Sequence, residues 1–140
     1  MTLLRRSHDI EVPQAAIFAR CSAQERRGLT QLGTGVSVPA GTTLTPEGFP
    51  GKEFFIVKDG EATCAVHGAT RARFRSGDFF GEMALLDGGP RTATVTSDTP
   101  MELLVYSFAE FQTMLHKSPA VSKHLLTELA RRLRVADATV

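Results

Sequence analysis

The sequence has almost no net charge, few cysteines and no long hydrophobic run. Sixteen Lys and Arg residues against fifteen Asp and Glu residues give a formal net charge of +1, so no global field attracts nucleic acid or an anionic membrane. Cys21 and Cys64 are the only cysteines and lie far apart in the chain. No apolar run approaches the ~20 residues of a membrane span or resembles a signal peptide. These absences predict a protein of the reducing cytoplasm.

The histidines do not form a cluster in the sequence. His8, His67, His116 and His124 are scattered, and only His67 lies in a region with strand character. A metal-dependent enzyme built on a β-roll needs clustered histidines and a carboxylate on adjacent strands. No pair of a nucleophile and a base stands out either. The sequence therefore predicts no metal site and no catalytic residues.

The length and composition predict a single domain that spans residues 1–140. The chain is 42% hydrophobic, which is enough for a real core. It contains no internal repeat, low-complexity tract or linker, so its helices and strands should form one unit.

The residue pattern along the chain changes twice. Residues 12–32 read as two short helices, the second opening with a capping box in which Ser22 and Glu25 bind each other's backbone amides. Residues 33–106 consist of short β-branched and aromatic runs punctuated by glycine, which predict seven or eight strands in a sandwich, roll or barrel. Residues 107–136 return to helix. The chain is thus predicted to be mainly β, with helices at both ends.

Local signals refine this outline at several points. Asp59-Gly60 predicts a hairpin with a type I′ turn. Arginines at positions 71, 73 and 75 alternate with Ala72 and Phe74, so one face of that strand should point to the core and the other to water.

The two C-terminal helices also carry local signals. Ser107 with Glu110, and Ser118 with Pro119, predict where each of them begins. In the last helix one apolar stripe recurs every four residues and should pack on the β region or on a partner helix, or cover a ligand; it consists of Val121, Leu125, Leu129 and Leu133.

The stretch from Phe79 to Val95, FFGEMALLDGGPRTATV, interrupts the strand pattern with good helix formers. The first amides of a helix after Gly81 would lack intrahelical partners and attract an anion. Arg91 can bring a planar fork of donors to the same anion. Glu82, as an ionised carboxylate, only accepts hydrogen bonds, so its target should be a hydroxyl. The pattern predicts a ligand with a phosphate beside a free hydroxyl, such as a sugar phosphate or a nucleotide.

The motif G-E-x-A-L-x(4)-P-R-x-A-x-V, present as GEMALLDGGPRTATV, resembles the phosphate-binding cassette of cyclic nucleotide-binding domains. The segments EFFIVKDGEATCAV and SGDFFGE are also similar to that family. The resemblance runs from about Ala15 to about Val135. The glycines at the turns expected by the resemblance are Gly41, Gly48, Gly60, Gly77 and Gly81. The resemblance implies an eight-stranded antiparallel β-roll, or jelly roll, with the cassette helix inside and helices at both ends.

The resemblance also implies residue roles. Glu82 would hold the ribose 2′-hydroxyl, Arg91 would pair with the cyclic phosphate, and residues around Glu82 would offer backbone contacts. The residues predicted to bind the cyclic nucleotide are Phe80, Gly81, Glu82, Met83, Ala84, Arg91, Thr92 and Ala93. In the family a residue of the last helix covers the purine as a lid, for which Arg131, Leu133 and Arg134 are the candidates here. Cys64 matches a pocket-lining strand position, and an inert buried cysteine is the alternative.

These expectations combine into a functional hypothesis. The resemblance implies a non-catalytic receptor for a cyclic nucleotide, with cAMP ranked above cGMP, that couples binding to movement of its C-terminal helices and needs no cofactor. Thr92 keeps a cGMP-preferring sensor open. A degenerate roll that acts only through protein contacts is the other alternative, although such a roll would be expected to lose Glu82 or Arg91. No helix-turn-helix follows Val140, so the chain resembles an isolated sensor module without a DNA-binding domain, and its downstream protein partner is unknown.

Overall fold

The structure, a computed structural model, describes residues 3–6 and 15–136. Within these residues it contains nine strands, four α-helices and one 3-10 turn. The strands are β1 (Leu3–Arg6), β2 (Thr34–Val38), β3 (Thr43–Thr45), β4 (Glu53–Asp59), β5 (Ala62–Val66), β6 (Ala69–Phe74), β7 (Phe79–Phe80), β8 (Thr94–Ser97) and β9 (Met101–Ser107). The helices are α1 (Ala23–Leu32), α2 (Glu82–Asp87), α3 (Phe108–Lys117) and α4 (Pro119–Ala136), and the 3-10 turn is Ala16–Phe18.

The strands form two antiparallel sheets that face each other. One sheet has the order β1-β2-β9-β4-β7 and the other has the order β3-β8-β5-β6. Eight of the strands, β2 to β9, make up the predicted β-roll, and α2 lies between β7 and β8. The mainly β fold with an internal cassette helix is therefore confirmed.

The N-terminal region differs from the prediction of two helices over residues 12–32. Residues 12–14 lie outside the described residues, the first predicted helix is only the 3-10 turn Ala16–Phe18, and the second is α1. Strand β1, which pairs with β2, was not predicted at all. Its four residues, LLRR, carry no alternation or turn signal that would mark a strand, so its pairing depends on the edge that β2 presents.

The predicted helix starts are confirmed. The Ser22 and Ser107 hydroxyls accept hydrogen bonds from the backbone amides of Glu25 (3.1 Å) and Glu110 (3.2 Å). The carboxylates of these two glutamates accept hydrogen bonds from the backbone amides of the serines. The Ser118 hydroxyl accepts a hydrogen bond from the Val121 amide at 3.2 Å. Each such cap stabilises a helix by about 1 kcal/mol.

The predicted hairpin at Asp59-Gly60 is wrong. Strands β4 and β5 on either side of it belong to different sheets, so the turn is a corner between the sheets. Gly60 has a φ of +96° there, but among the described non-glycine residues only His67 has a positive φ. The two-residue turn with positive φ at both positions is His67-Gly68, which joins the paired strands β5 and β6. Pairing of β4 with the distant β9 overrides the local signal.

Strand β4 divides the core into two clusters because both of its faces are buried. Phe54 and Ile56 pack towards the helices, together with residues of the 3-10 turn, α3 and α4. Phe55 and Val57 point into the space between the sheets. Each fully buried side chain of this size contributes about 1.5–3 kcal/mol relative to exposure. Both clusters therefore stabilise the roll, and the helices are part of the same packed unit.

The apolar side chains of the terminal helix α4 become more exposed towards its C-terminal end. Val121 and Leu125 are buried and Leu129 is partly buried, but Leu133 is 68% exposed. The predicted apolar stripe thus packs against the core as far as Leu129 and not at Leu133. None of the helices in the described part of the chain combines the length and apolar character that crossing a membrane requires.

Candidate functional site

A cleft of about 230 Å³ lies between the cassette and the inner face of the four-stranded sheet. It brings together all eight residues predicted to bind the nucleotide, and Cys64. Its lining residues are Thr45, Cys64, Ala72, Phe74, Phe80, Gly81, Glu82, Met83, Ala84, Arg91, Thr92, Ala93, Val95 and Arg132.

Helix α2 forms one wall of this cleft. Gly81, with a φ of +93°, turns the chain sharply out of β7 and into the helix, and Gly88, with a φ of +72°, ends it. Leu85 packs into the helix-side core and fixes the rotation of the helix, so that Ala84 and Glu82 are also buried. A side chain with a Cβ would be strained at either glycine because their φ values are in the left-handed region.

Arg91 is the buried cation of the site, with only 6% of its surface exposed. Its Nη1 donates to the Gly81 carbonyl at 2.9 Å and its Nη2 donates to the Glu53 carbonyl at 2.8 Å. The guanidinium carbon lies 5.9 Å from the centre of the Phe55 ring. Burial lowers the pKa of Arg91, and the charges of Glu53 and Glu82 act in the opposite direction. The guanidinium of an arginine stays protonated in a protein. Two of its five N–H donors bind the two carbonyls here, so the others are available for an anion.

Glu82 is the buried anion of the site, 2% exposed at the start of α2. Its Oε1 accepts a hydrogen bond from Nη1 of Arg132 at 2.5 Å, in an ion pair that joins the cassette to α4. A buried carboxylate without such a partner would be costly. Arg132 was not among the lid candidates, although it lies in the basic run 131–134 that the resemblance pointed to.

The three lid candidates do not line the cleft. Arg131 forms an ion pair with Glu128 on its own helix, Leu133 is largely exposed, and Arg134 is also exposed. Successive residues of a helix are rotated by about 100°, so neighbours in the run face different directions. The turn of α4 that faces the cleft carries Arg132, and only the packing of α4 on the roll reveals this.

Strand β8 and its neighbours form the opposite wall. Thr45, 3% exposed, donates from its hydroxyl to the Ala93 carbonyl and accepts from the Val95 amide, both at 3.1 Å. These two bonds hold the backbone that follows Arg91. Thr92 is exposed at the rim of the cleft.

Two aromatic rings and a thiol complete the lining. Phe80 stacks between Phe55 and Phe74, with ring centres 4.8 Å and 5.0 Å apart. Burial raises the pKa of the Cys64 thiol, with the charge of Arg132 acting to lower it and that of Glu82 to raise it, and a raised pKa disfavours the thiolate. The cleft is therefore largely apolar, with one buried cation and one buried carboxylate.

Metal ligands are not assembled in the described part of the chain. Among residues 15–136, no three His, Cys, Asp or Glu side chains lie close enough together to hold a metal ion. His67 is exposed in the β5–β6 turn and His116 contacts its own helix. His8 lies outside the described residues.

Comparison with known proteins identifies relatives of the chain. A family model described as cyclic nucleotide-binding domain matches residues 35–118. A cAMP-dependent protein kinase regulatory subunit from Pyricularia oryzae is 32% identical over 113 residues, which cover 79% of this chain and 29% of that protein. The chain therefore spans less than a third of that relative.

Solved structures also resemble the chain. The catabolite activator protein of Thermus thermophilus superimposes with a TM-score of 0.82 at 29% identity, covering 88% of this chain and 60% of that one. The regulatory domain of Toxoplasma gondii PKA, crystallised with cAMP, gives a TM-score of 0.64 at 29% identity, covering 78% and 43% respectively. The family match, which covers more than half of the chain, and the β-roll together show that this chain belongs to the cyclic nucleotide-binding domain family.

Proposed function

We propose that this protein is a non-catalytic receptor for a 3′,5′-cyclic nucleotide, with cAMP the preferred ligand. The observation that carries the proposal is the pair of buried, oppositely charged groups, Arg91 and Glu82, on the lining of one cleft. A cyclic nucleotide offers one singly charged phosphate and one free ribose hydroxyl. These are the two groups that a guanidinium fork and a carboxylate recognise.

Arg91 would bind the cyclic phosphate. The backbone carbonyls of Gly81 and Glu53 hold its guanidinium in place before any ligand arrives. A preorganised donor binds more tightly because less conformational freedom is lost on binding. Burial in an apolar cleft strengthens the attraction further, since the effective dielectric is lower there than in water.

Glu82 would accept a hydrogen bond from the ribose 2′-hydroxyl. The Glu82 carboxylate already forms an ion pair with Arg132 of α4, so a bound ribose would contact the same carboxylate as Arg132. A ligand that changes this ion pair would change the position of α4. We therefore propose that Glu82 and Arg132 couple nucleotide binding to the C-terminal helices, as two sites linked through one shared contact.

The choice of cAMP over cGMP rests on the relatives of the chain, whereas Thr92 keeps cGMP open as the ligand. Relatives of the chain are named for cAMP, among them the kinase regulatory subunit and the regulatory domain crystallised with it. Thr92, exposed at the rim of the cleft, offers a hydroxyl that a guanine amino group could use. The cGMP-preferring sensor is therefore the second candidate.

Calorimetric titration of the purified chain with cAMP and with cGMP tests the proposal. We expect heat with both nucleotides and tighter binding of cAMP. Tighter binding of cGMP would support the second candidate. No heat with either nucleotide would reject the receptor and leave a roll that acts only through protein contacts.

A further inference from the structure

The guanidinium group of Arg91 lies in a narrow slot between two glycines. A Cβ atom built on Gly51 would lie 2.8 Å from Nε and 2.9 Å from Cζ of Arg91, and 2.6 Å from Cβ of Ala84. A Cβ atom built on Gly81 would lie 2.9 Å from Nη1 of Arg91. Real Cβ atoms essentially never approach other atoms below 3.0 Å. The absence of a side chain at both positions is therefore what leaves room for the guanidinium.

The slot matters because the other contacts of Arg91 leave it little freedom to move. Two carbonyls fix the Nη1 and Nη2 ends, and the ring of Phe55 lies 5.9 Å from Cζ. A group that pushes on Nε must displace the plane of the guanidinium or break one of these bonds. Bidentate recognition of a phosphate depends on that plane.

We propose that Gly51 is a positioning residue for the phosphate arginine: its missing side chain sets where the Arg91 guanidinium can lie. This inference rests on the proposed function, because it assumes that Arg91 binds the cyclic phosphate. Gly51 lies on the loop between β3 and β4, forty residues before Arg91 in the chain. No sequence signal singled it out.

A substitution at Gly51 can test this positioning role without backbone strain, whereas a substitution at Gly81 cannot. The φ of Gly81 is +93°, so any substitution there is strained whatever the space. Gly51 does not have a φ in the left-handed region. An alanine at Gly51 therefore tests the clearance around Arg91 and Ala84 and not the conformation of the loop.

The main experiment titrates Gly51→Ala with cAMP, cGMP and 2′-deoxy-cAMP. We expect the affinity for all three to fall by the same factor, at least about tenfold, because each carries the same cyclic phosphate. The preference of the protein for cAMP over 2′-deoxy-cAMP should persist, since the Glu82 carboxylate that would bind the ribose is not among the atoms that the new Cβ meets. The control is Gly28→Ala, where a Cβ meets nothing within 4 Å, and its affinities should equal those of the wild type.

A double-mutant cycle shows whether the effect passes through Arg91. In an Arg91→Lys background the planar fork is already lost, so adding Gly51→Ala should weaken binding much less than it does in the wild type. Equal losses in the two backgrounds would overturn the proposal. Wild-type affinity in Gly51→Ala, or a loss confined to one nucleotide, would overturn it as well.

A second readout does not depend on nucleotide binding. The Nε–H resonance of Arg91, assigned by its disappearance in Arg91→Lys, should shift in Gly51→Ala and stay in place in Gly28→Ala when no nucleotide is added. If the wild type bound no cyclic nucleotide, the proposed function would fail, and this resonance would still show whether Gly51 positions Arg91. An unchanged resonance would reject the positioning role.

If Gly51→Ala does not fold, Gly51→Ala/Ala84→Gly removes the contact with Ala84, and Ala84→Gly alone becomes its reference. The same titrations and the same resonance then apply. Equal affinities in these two variants, with an unshifted resonance, would overturn the proposal.

Discussion

The two charged groups of the cleft are held in different ways. Arg91 is fixed by backbone carbonyls of Gly81 and Glu53, which belong to the packed roll. Glu82 is paired with a side chain, Arg132, whose surface is 46% exposed near the end of α4. The neighbours of Arg132 in sequence are also exposed. The cation therefore has a rigid environment, and the carboxylate has a partner that can move.

This difference assigns separate tasks to the surroundings of the two charged groups. The roll side would provide affinity, because a preformed anion site loses little entropy on binding. The α4 side would provide the response, because Arg132 is 46% exposed and could leave Glu82 when a ribose hydroxyl takes its place. Four predictions test this division.

Arg91→Lys should have the largest effect. Lysine keeps the charge but cannot donate two parallel hydrogen bonds or reach both carbonyls in the same way. Calorimetry should show that the affinity for cAMP falls by at least about tenfold, the equivalent of ~1.4 kcal/mol. Unchanged affinity would remove Arg91 from the phosphate site and with it the distinction between the two charged groups.

Glu82 should control recognition of the ribose. A hydrogen bond to a charged group is worth about 1.5–3 kcal/mol, so the wild type should bind cAMP at least about tenfold more tightly than 2′-deoxy-cAMP. Glu82→Gln should discriminate less between these ligands. A carboxylate in a first helical turn also stabilises the helix, and equal binding of both ligands by the wild type would indicate that this structural role is the whole role of Glu82.

Thr92 tests whether the rim of the cleft adds base selectivity. Thr92→Ala should lower the affinity for cGMP by about 1 kcal/mol, the net value of one hydrogen bond, and should leave the affinity for cAMP within a few-fold. Parallel titrations with both nucleotides measure this. Equal losses would mean that Thr92 serves the shared phosphate.

Arg132→Gln should have the smallest effect on affinity and a clear effect on motion. Hydrogen exchange of the amides in residues 129–136 should increase, because the contact that ties this part of α4 to the cassette is lost. The change that cAMP produces in these amides in the wild type should also shrink. Arg134→Gln is the matched control, since Arg134 is exposed on the same helix and does not line the cleft. The same response in both variants would place the coupling elsewhere.

Signals that act over a few residues predicted the structure well. The capping boxes at Ser22 and Ser107 are present because a hydroxyl and a backbone amide three residues apart meet in any helix start. The cassette helix begins at Glu82 for a similar local reason, a left-handed glycine followed by helix formers. The Asp59-Gly60 turn failed because the partner strand of β4 is chosen by burial on both of its faces, and that partner is the distant β9.

The sequence by itself determined the family, the β-roll with its cassette helix, and the likeness of Glu82 and Arg91 to a hydroxyl-binding and a phosphate-binding group. The cassette helix and the likeness of the two charged groups depend on residue type and on spacings of ten residues or fewer, whereas the family and the β-roll follow from a resemblance that runs along most of the chain. Only the tertiary structure decided that Arg132 reaches Glu82 across fifty residues, that its neighbours in the basic run face elsewhere, and that Gly51 clears space for Arg91. Such contacts depend on the rotation of α4 and the path of the β3–β4 loop. Packing of the whole core sets both.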